Sequence, residues 1–140
     1  MMGKGRFVFD TNVIISALLF ENSKPAQVLR YALANGEVLL SLELLEELNE
    51  VLRRERFNRY ITNEEREEFL EALVERAVFV EINEKVQACR DPKDDKVLEV
   101  ALNGAAQYII SGDRDLLVLH SFRSMVVITA DEFLKLLESE

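Results

Sequence analysis

Short runs of apolar, strand-forming residues alternate with helical patterns along this chain. The strand-like runs lie at residues 7–9, 38–40, 79–82, 108–110 and 126–128, and the helical patterns lie at about 12–20, 24–35, 42–54, 63–77, 94–105 and 130–138. This alternation is typical of α/β domains, and near-continuous apolar strands are typical of a parallel sheet covered on both faces. The sequence therefore predicts an α/β fold with a central, mostly parallel sheet of about five strands.

No repeat, linker or change of composition divides the sequence. The chain has 140 residues, of which 49% are hydrophobic and 31% charged. This composition is that of an ordinary globular domain and excludes a disordered or low-complexity chain. A chain of this length can bury one hydrophobic core. We therefore expect a single domain over residues 1–140.

Metal sites built from cysteine or from several histidines are excluded, because the chain has only Cys89 and His120. A bound metal would need carboxylate ligands, which Mg²⁺ and Mn²⁺ prefer. The 26 acidic and 17 basic residues give a net charge of −9, unlike the basic surface of proteins that coat nucleic acid. A divalent cation reverses the charge of an acidic site locally, so the negative net charge does not exclude a nucleic-acid substrate.

The start of the chain resembles a signal peptide only superficially. Lys4 and Arg6 precede an apolar stretch, but the polar residues 10–12 interrupt it, and no small-residue cleavage pattern follows. No stretch approaches the roughly 20 apolar residues of a membrane-spanning helix. We therefore expect a cytoplasmic protein.

A small polar or acidic residue follows four of the strand-like runs: Asp10, Ser41, Ser111 and Thr129. Ligands bind at the carboxyl ends of strands in open parallel sheets, so such a residue either caps a helix or belongs to a site. We expect Ser41 and Thr129 to be caps. Capping boxes that begin at Thr62 and Thr129 predict helix starts there. Asn12 follows Asp10, and Asp113 and Asp115 follow Ser111. These further polar groups favour a functional site over a helix cap at both positions.

Helical periodicity separates acids that face solvent from acids that can reach the sheet. Glu47 lies at the border of the apolar arc of the third predicted helix. Asp94 projects to the middle of the apolar face of the fifth predicted helix, and Asp95 lies near the border of that face. A buried carboxylate is costly unless it is paired, caps a helix or binds a metal. Asp94 is therefore either a first-turn residue that interacts with the helix dipole or a site residue.

Asp10, Glu47, Asp94 and Asp113 are far apart in the sequence, but all four can reach one edge of the predicted sheet. Four carboxylates with no neutralising Lys or His nearby would repel one another strongly. A divalent cation is the simplest remedy, and carboxylate-bound metal is suited to phosphodiester hydrolysis. The sequence thus predicts an acidic metal site at the carboxyl edge of the sheet.

Four blocks of the sequence carry a family resemblance. They lie at residues 9–19 (FDTNVIISALL), 41–48 (SLELLEEL), 90–101 (RDPKDDKVLEVA) and 108–117 (YIISGDRDLL). In this order and at these separations, the blocks resemble the PIN domain family, and more narrowly its VapC-type toxin branch. The resemblance runs from about residue 7 to residue 133.

The resemblance implies a three-layer α/β/α domain and a metal-dependent ribonuclease that uses three or four acids with Mg²⁺ or Mn²⁺. Asp95 stays an alternative to Asp94, because the doubled Asp allows a shift of one residue. The resemblance also implies an RNA substrate, an antitoxin protein as partner, and a homodimer or larger homo-oligomer. Matched residue by residue, the acids are Asp10, Glu47, Asp94 and Asp113, and the supporting residues are Asn12, Ser16, Ser111, Asp95 and Asp115.

Two other classes of function compete with the ribonuclease. A phosphatase of the haloacid dehalogenase class also has an Asp after its first strand, but it needs a second Asp two residues later, where this chain has Asn12. A PIN-fold binding module without activity is the second alternative, and the intact set of acids argues against it. Cleavage of RNA with Mn²⁺ separates these hypotheses.

The one basic cluster of the sequence lies at residues 53–60 and holds Arg53, Arg54, Arg56 and Arg59 together with two aromatic residues. Arginine binds phosphates well, and aromatic rings stack on bases, so RNA or an acidic partner segment can dock there. The alternative is a solvated helix end, where arginine complements the helix dipole. Both hypotheses stay open, and we favour the helix end slightly.

Overall fold

The computed structural model of the protein describes residues 5–87, 92–119 and 121–139. Cys89, Arg90, Asp91 and His120, which enter the sequence analysis, lie outside these residues. The strands within them are β1 (Arg6–Phe9), β2 (Glu37–Leu40), β3 (Val78–Phe79), β4 (Tyr108–Ile110), β5 (Ser121–Phe122) and β6 (Met125–Ile128). They form a single sheet in the order β3-β2-β1-β4-β6-β5. Neighbouring strands are parallel except for the antiparallel pair of β5 and β6.

Seven α-helices and one 3-10 helix (Glu55–Phe57) connect the strands within the described residues. Both predicted capping boxes are present, at Thr62 and Thr129, and the side chain of Ser41 accepts a hydrogen bond from the backbone N–H of Leu44, as predicted for a cap. Among the described residues, no helix has the length and apolar character to cross a membrane. The helices are α1 (Thr11–Leu19), α2 (Lys24–Asn35), α3 (Leu42–Leu52), α4 (Asn63–Arg76), α5 (Pro92–Asn103), α6 (Arg114–Leu117) and α7 (Ala130–Glu138).

Helices cover both faces of the sheet, which confirms the predicted α/β/α layers. On one face, the buried ring of Phe7 packs against Phe133 of α7 at 5.3 Å and against Tyr31 of α2 at 6.4 Å between ring centroids. Successive strand residues point to opposite faces. Val38 is the register partner of Phe7 and shares its face, so the next residue, Leu39, faces the other helix layer. The chain just after α5 approaches Leu39 so closely that a Cβ on Gly104 would lie 2.7 Å from it.

The edge strand β3 is shorter than predicted and ends at Phe79. The Val80 N–H still donates a hydrogen bond to the carbonyl of Leu40, and the chain then leaves the sheet. From three residues after Val80, backbone N–H groups donate instead to a side chain of α5. Asn103 accepts from the N–H groups of Asn83 and Glu84 at 3.0 and 2.9 Å. The prediction of a strand through residue 82 was therefore wrong.

The sheet has six strands where about five were predicted. The additional strand, β5, pairs with β6 through a turn in which Arg123 and Ser124 have φ values of 48° and 74°. Tight hairpin turns with positive φ usually contain Asn or Gly, so this turn has no sequence signal. The short helix α6 (Arg114–Leu117) was also not predicted, because none of the helical patterns in the sequence covers these residues.

Replacing Thr62 by Ala should lower the free energy of unfolding by about 1 kcal/mol, because it removes an N-cap. The Thr62 hydroxyl accepts a hydrogen bond from the Glu65 N–H at 3.0 Å, and the Glu65 carboxylate accepts one from the Thr62 N–H at 2.9 Å. Urea unfolding measures the change. Thr62→Ser keeps the hydroxyl and should retain most of the stability, so equal losses in both variants would contradict the capping role.

Candidate metal centre

The carboxyl edge of the sheet brings together residues from three separate parts of the chain. Asp10 follows β1 and Ser111 follows β4, and these strands are parallel neighbours, with the Asp10 N–H donating to the carbonyl of Ile110 at 2.9 Å. Asp113 lies two residues further on, at the N-cap of α6. Asp94 comes from the first turn of α5, a helix that contacts β1, β2 and β4. Parallel pairing and one helix start thus place the three acids together.

Each of Asp10, Asp94 and Asp113 offers a carboxylate oxygen, and these three oxygens lie within 4.8 Å of one another. Asp10 and Asp94 are each only 6% exposed, whereas Asp113 is half-buried. The group is therefore anchored on its inner side and reaches solvent through Asp113. We name Asp10, Asp94 and Asp113 the acidic triad.

Hydrogen bonds hold the acidic triad in place. The Ser111 hydroxyl donates to Asp10 Oδ2 at 2.8 Å and accepts from the Asp113 N–H at 3.0 Å, so one side chain links both acids. The Asn12 N–H donates to Asp10 Oδ1 at 3.3 Å, and the Asp115 N–H donates to Asp113 Oδ1 at 2.8 Å. These hydrogen bonds fix the orientation of both carboxylates.

The protonation of Asp10 reflects its surroundings. Burial raises the pKa of Asp10 above its ordinary value of 3.8, and the negative charges of Asp113 and Glu47 raise it further. The hydrogen bonds from Ser111 and from the backbone of Asn12 lower the pKa but do not outweigh burial. The ionised form of Asp10 is therefore disfavoured in the folded protein unless a positive charge is present.

Glu47 lies near Asp10 but outside the acidic triad. Its Oε2 accepts a hydrogen bond from the Thr11 hydroxyl at 2.8 Å, and its Oε1 lies 3.6 Å from Lys96 Nζ. The side chain of Glu47 is 12% exposed. The expectation that no lysine lies near the acids was therefore wrong, because the helical register of α5 turns Lys96 toward α3.

Thr11 and Lys96 are the two partners that the sequence analysis did not identify. Both adjoin acids that were identified, since Thr11 follows Asp10 and Lys96 follows the doubled Asp of α5. Adjacency to a candidate acid was therefore the available signal. It does not indicate contact with Glu47, which depends on how α1, α3 and α5 pack.

The remaining predicted residues lie around the acidic triad in different environments. Asp95 is buried like Asp94, although it was expected near the border of the helix face, and it is not a member of the triad. Asn12 is exposed and contributes its backbone N–H, whereas Ser16 and Asp115 are half-buried. The arginines of residues 53–60 are exposed in the segment that follows α3, beyond the end of the helix.

The chemistry of the acidic triad fits a hard divalent cation. Its donors are carboxylate oxygens, the ligands that Mg²⁺ and Mn²⁺ prefer over soft metals. Burial and the negative charges of Asp113 and Glu47 disfavour the ionised form of Asp10, so a positive charge beside this carboxylate would stabilise it. A cation bound by Asp10, Asp94 and Asp113 would supply that charge.

Replacing Ser111 by Ala should weaken metal affinity by about tenfold, because groups that orient metal ligands typically contribute 10- to 100-fold. The substitution removes the hydroxyl that links Asp10 to the Asp113 backbone. The melting temperature, measured at increasing Mn²⁺ concentrations, gives the metal affinity. Ser41→Ala is the matched control, because Ser41 is also a buried serine directly after a strand, but its described hydrogen bond is to the Leu44 N–H and not to a member of the acidic triad. Equal affinity in wild type and Ser111→Ala would contradict the orienting role.

Comparison with known proteins finds a relative in sequence and solved structures of similar fold. The uncharacterized protein MJ1680 of Methanocaldococcus jannaschii is 34% identical over 118 residues, which cover 83% of this chain and 76% of that protein. VapBC2 from Rickettsia felis, solved bound to a DNA fragment from their promoter, matches with a TM-score of 0.60 at 12% identity, over 87% of this chain and 96% of that chain. PAE2754 from Pyrobaculum aerophilum matches with a TM-score of 0.64 at 13% identity, over 98% of this chain and 91% of that chain.

The sequence model of the PIN domain matches residues 6–115, a range that holds every member of the acidic triad. This match covers more than half of the chain, and the α/β/α fold with its mostly parallel sheet agrees with it. The chain belongs to the PIN domain family.

Proposed function

We propose that this protein is a metal-dependent ribonuclease that hydrolyses phosphodiester bonds in RNA. The observation that carries the proposal is the acidic triad, whose three carboxylate oxygens lie within 4.8 Å of one another in a PIN domain. PIN domains are generally metal-dependent nucleases, so the family and the donor chemistry support the same function. The family assignment gives no support to the phosphatase alternative.

In this proposal, Asp10, Asp94 and Asp113 hold Mg²⁺ or Mn²⁺. A bound ion of this kind activates water and stabilises the charge that develops on the phosphate. Burial of Asp10 and Asp94 keeps water from competing for the inner carboxylates, and the half-buried Asp113 leaves the outer side open to substrate. Ser111 orients Asp10 and Asp113 through its two hydrogen bonds, and Asp115 lies beside Asp113 as an outer acid.

Glu47 is the fourth acid of the proposed site. The Thr11 hydroxyl orients its Oε2, and the ammonium group of Lys96 partly neutralises its Oε1. These two contacts reduce the repulsion between Glu47 and the acidic triad. Its proposed role is to accept hydrogen bonds from water or from RNA hydroxyl groups at the edge of the metal centre.

The purified protein should degrade single-stranded RNA in the presence of Mn²⁺ or Mg²⁺. EDTA should stop the reaction, and Asp10→Asn should stop it in the presence of metal. RNA that is bound in Mn²⁺ but not cleaved would support the non-catalytic binding module instead. Cleavage that persists in Asp10→Asn would show a contaminating nuclease or a different site.

We further propose that the protein is the toxin of a toxin–antitoxin pair, with an antitoxin protein as partner. Support comes from the VapC-type sequence blocks and from the shared fold with VapBC2 of Rickettsia felis. A homodimer or larger homo-oligomer is part of the same hypothesis. Light scattering of the purified chain, and growth arrest on its expression in a bacterial host, test these two statements separately.

A further inference from the structure

The fold joins the basic cluster to an aromatic residue from another part of the chain. Phe20, at the C-terminal end of α1, contacts Tyr60 with 6.2 Å between ring centroids. Both rings are exposed, at 52% and 53%. We name Phe20 together with the arginine and aromatic residues of 53–60 the arginine–aromatic patch.

The arginines of the patch are not neutralised by carboxylates. Within residues 5–87, 92–119 and 121–139, no ion pair involves Arg53, Arg54, Arg56 or Arg59. All four are exposed, and residues 53–60 contain one acid, Glu55, against these four arginines. In a chain with a net charge of −9, this segment is a local concentration of positive charge.

The structure does not favour the helix-cap interpretation of these arginines. Helix α3 ends at Leu52, and the described hydrogen bonds of the four guanidinium groups include none to its final carbonyls. Arg53 instead donates to the side chain of Asn49 at 3.4 Å, and Arg56 lies over the ring of Phe57 at 4.9 Å from its centroid. Guanidinium groups that remain available on the surface can bind an anionic ligand.

The backbone of the segment is held in a defined conformation. The N–H of Arg54 donates to the carbonyl of Val51, the N–H of Asn58 donates to that of Glu55, and the N–H of Ile61 donates to that of Phe57. The arginines therefore project from an ordered turn. Ordering this surface for binding costs less entropy than ordering a flexible basic tail.

Two helices connect the patch to the acidic triad. Thr11 at the start of α1 bonds to Glu47 in the middle of α3, and the chain segments that follow both helices meet at Phe20 and Tyr60. Arg53 is six residues beyond Glu47, or about 9 Å along a helix. A short single strand whose scissile phosphate lies at the acidic triad can therefore also reach the patch.

We infer that the arginine–aromatic patch binds single-stranded RNA beside the cleavage site, with phosphates on the arginines and a base against Phe20 or Tyr60. The inference rests on the proposed ribonuclease function for the identity of the ligand. Two exposed rings among unpaired arginines favour RNA over an acidic polypeptide, because bases stack on aromatic rings and carboxylates do not. Single strands are favoured over duplex, because a duplex hides the base faces.

The test measures binding in EDTA, where RNA is not cleaved, so that its result does not depend on catalysis. The probe is a fluorescently labelled single-stranded oligoribonucleotide of mixed sequence, followed by anisotropy between about 50 and 200 mM salt. Arg56→Gln combined with Arg59→Gln should weaken binding and flatten the plot of log affinity against log salt by about 1.4, or roughly 0.7 per lost contact. Tyr60→Leu should weaken binding about fivefold or more and leave the salt slope unchanged.

The control is Arg123→Gln, which removes one positive charge, half of that removed in the double variant, from an arginine that also lies over a phenylalanine. Arg123 is 5.6 Å from the Phe122 ring centroid and is paired with Glu84, and it precedes β6 at the edge of the sheet opposite the acidic triad. This variant should bind RNA like wild type. If Arg123→Gln lost as much affinity per removed charge as the double variant, the effect would be one of net charge, and the inference would be overturned.

Two further results would overturn the inference. One is an unchanged affinity and slope in the double arginine variant. The other is binding of a polyglutamate peptide that the double variant loses while RNA binding persists, which would identify the patch as a surface for an acidic protein segment. If the wild-type protein binds RNA as expected but does not cleave it with Mn²⁺, the proposed ribonuclease function fails and the binding surface stands.

Discussion

Asp94→Asn should reduce RNA cleavage with Mn²⁺ by about 100-fold or more. Groups that only orient metal ligands typically contribute 10- to 100-fold, so loss of a ligand charge should reach or exceed the upper end of that range. Asp94 belongs to the acidic triad and is 6% exposed, so solvent does not readily replace it as a ligand. The initial rate of cleavage at saturating Mn²⁺ measures the effect.

Asp95→Asn is the matched control for Asp94→Asn. The two residues are adjacent, both are buried, and both lie in the first turn of α5, so their effects on the helix dipole are similar. Asp95 is outside the acidic triad, and its variant should retain most of the cleavage rate. A larger loss in Asp95→Asn than in Asp94→Asn would reverse the assignment of the third acid. Thermal denaturation of both variants checks that the fold is intact.

Asp10→Asn should change stability in opposite directions with and without metal. In EDTA, the variant should be more stable than wild type at neutral pH, because the raised pKa of Asp10 means that folding disfavours its charge. A group with a raised pKa contributes its full stability below the ordinary value of 3.8 and loses it as pH rises through the higher folded value. The gain from Asn should therefore be largest at neutral pH and decrease on acidification toward that ordinary value.

With Mn²⁺ or Mg²⁺ at about 100 times its dissociation constant, wild type should gain about 2.7 kcal/mol of stability by mass action. Asp10→Asn should lose most of this gain, because it removes a ligand charge. Thermal denaturation in EDTA and in millimolar metal gives both quantities. Glu43→Gln is the control, because Glu43 is an exposed acid on α3 whose charge is not buried. This variant should change neither the stability in EDTA nor the gain in stability with metal. A metal-induced gain that survives Asp10→Asn would place the ion elsewhere.

The elements predicted best from sequence are those with strong local signals. Helices α2 and α7 have the predicted bounds, 24–35 and 130–138, and the capping boxes at Thr62 and Thr129 form as predicted. Each of these depends on side chains within a few residues of one another. The strand β3 and the hairpin of β5 and β6 were predicted poorly, because partners distant in sequence decide where an edge strand ends.

The same difference applies to the candidate site. A strand end indicated Asp10, the residues after another strand indicated Asp113, and the apolar periodicity of α5 indicated Asp94. The common position of Asp10 and Asp113 at one edge follows from parallel pairing of β1 with β4, which the alternation of strands and helices predicts, and the start of α5 brings Asp94 to the same edge. The position of Glu47 against Thr11 and Lys96 was not predictable in this way, because it depends on the relative rotation of three packed helices.

By itself, the sequence determined the α/β class and the family and indicated the candidate acids, because periodicity, helix caps and motif spacing are properties of short segments. Only the tertiary structure decided which acids meet within 4.8 Å, that Lys96 lies beside Glu47, and that Phe20 joins the arginines of residues 53–60. These distances depend on how helices pack across the sheet. Packing is set by the summed contacts of the whole core, and no local pattern encodes it.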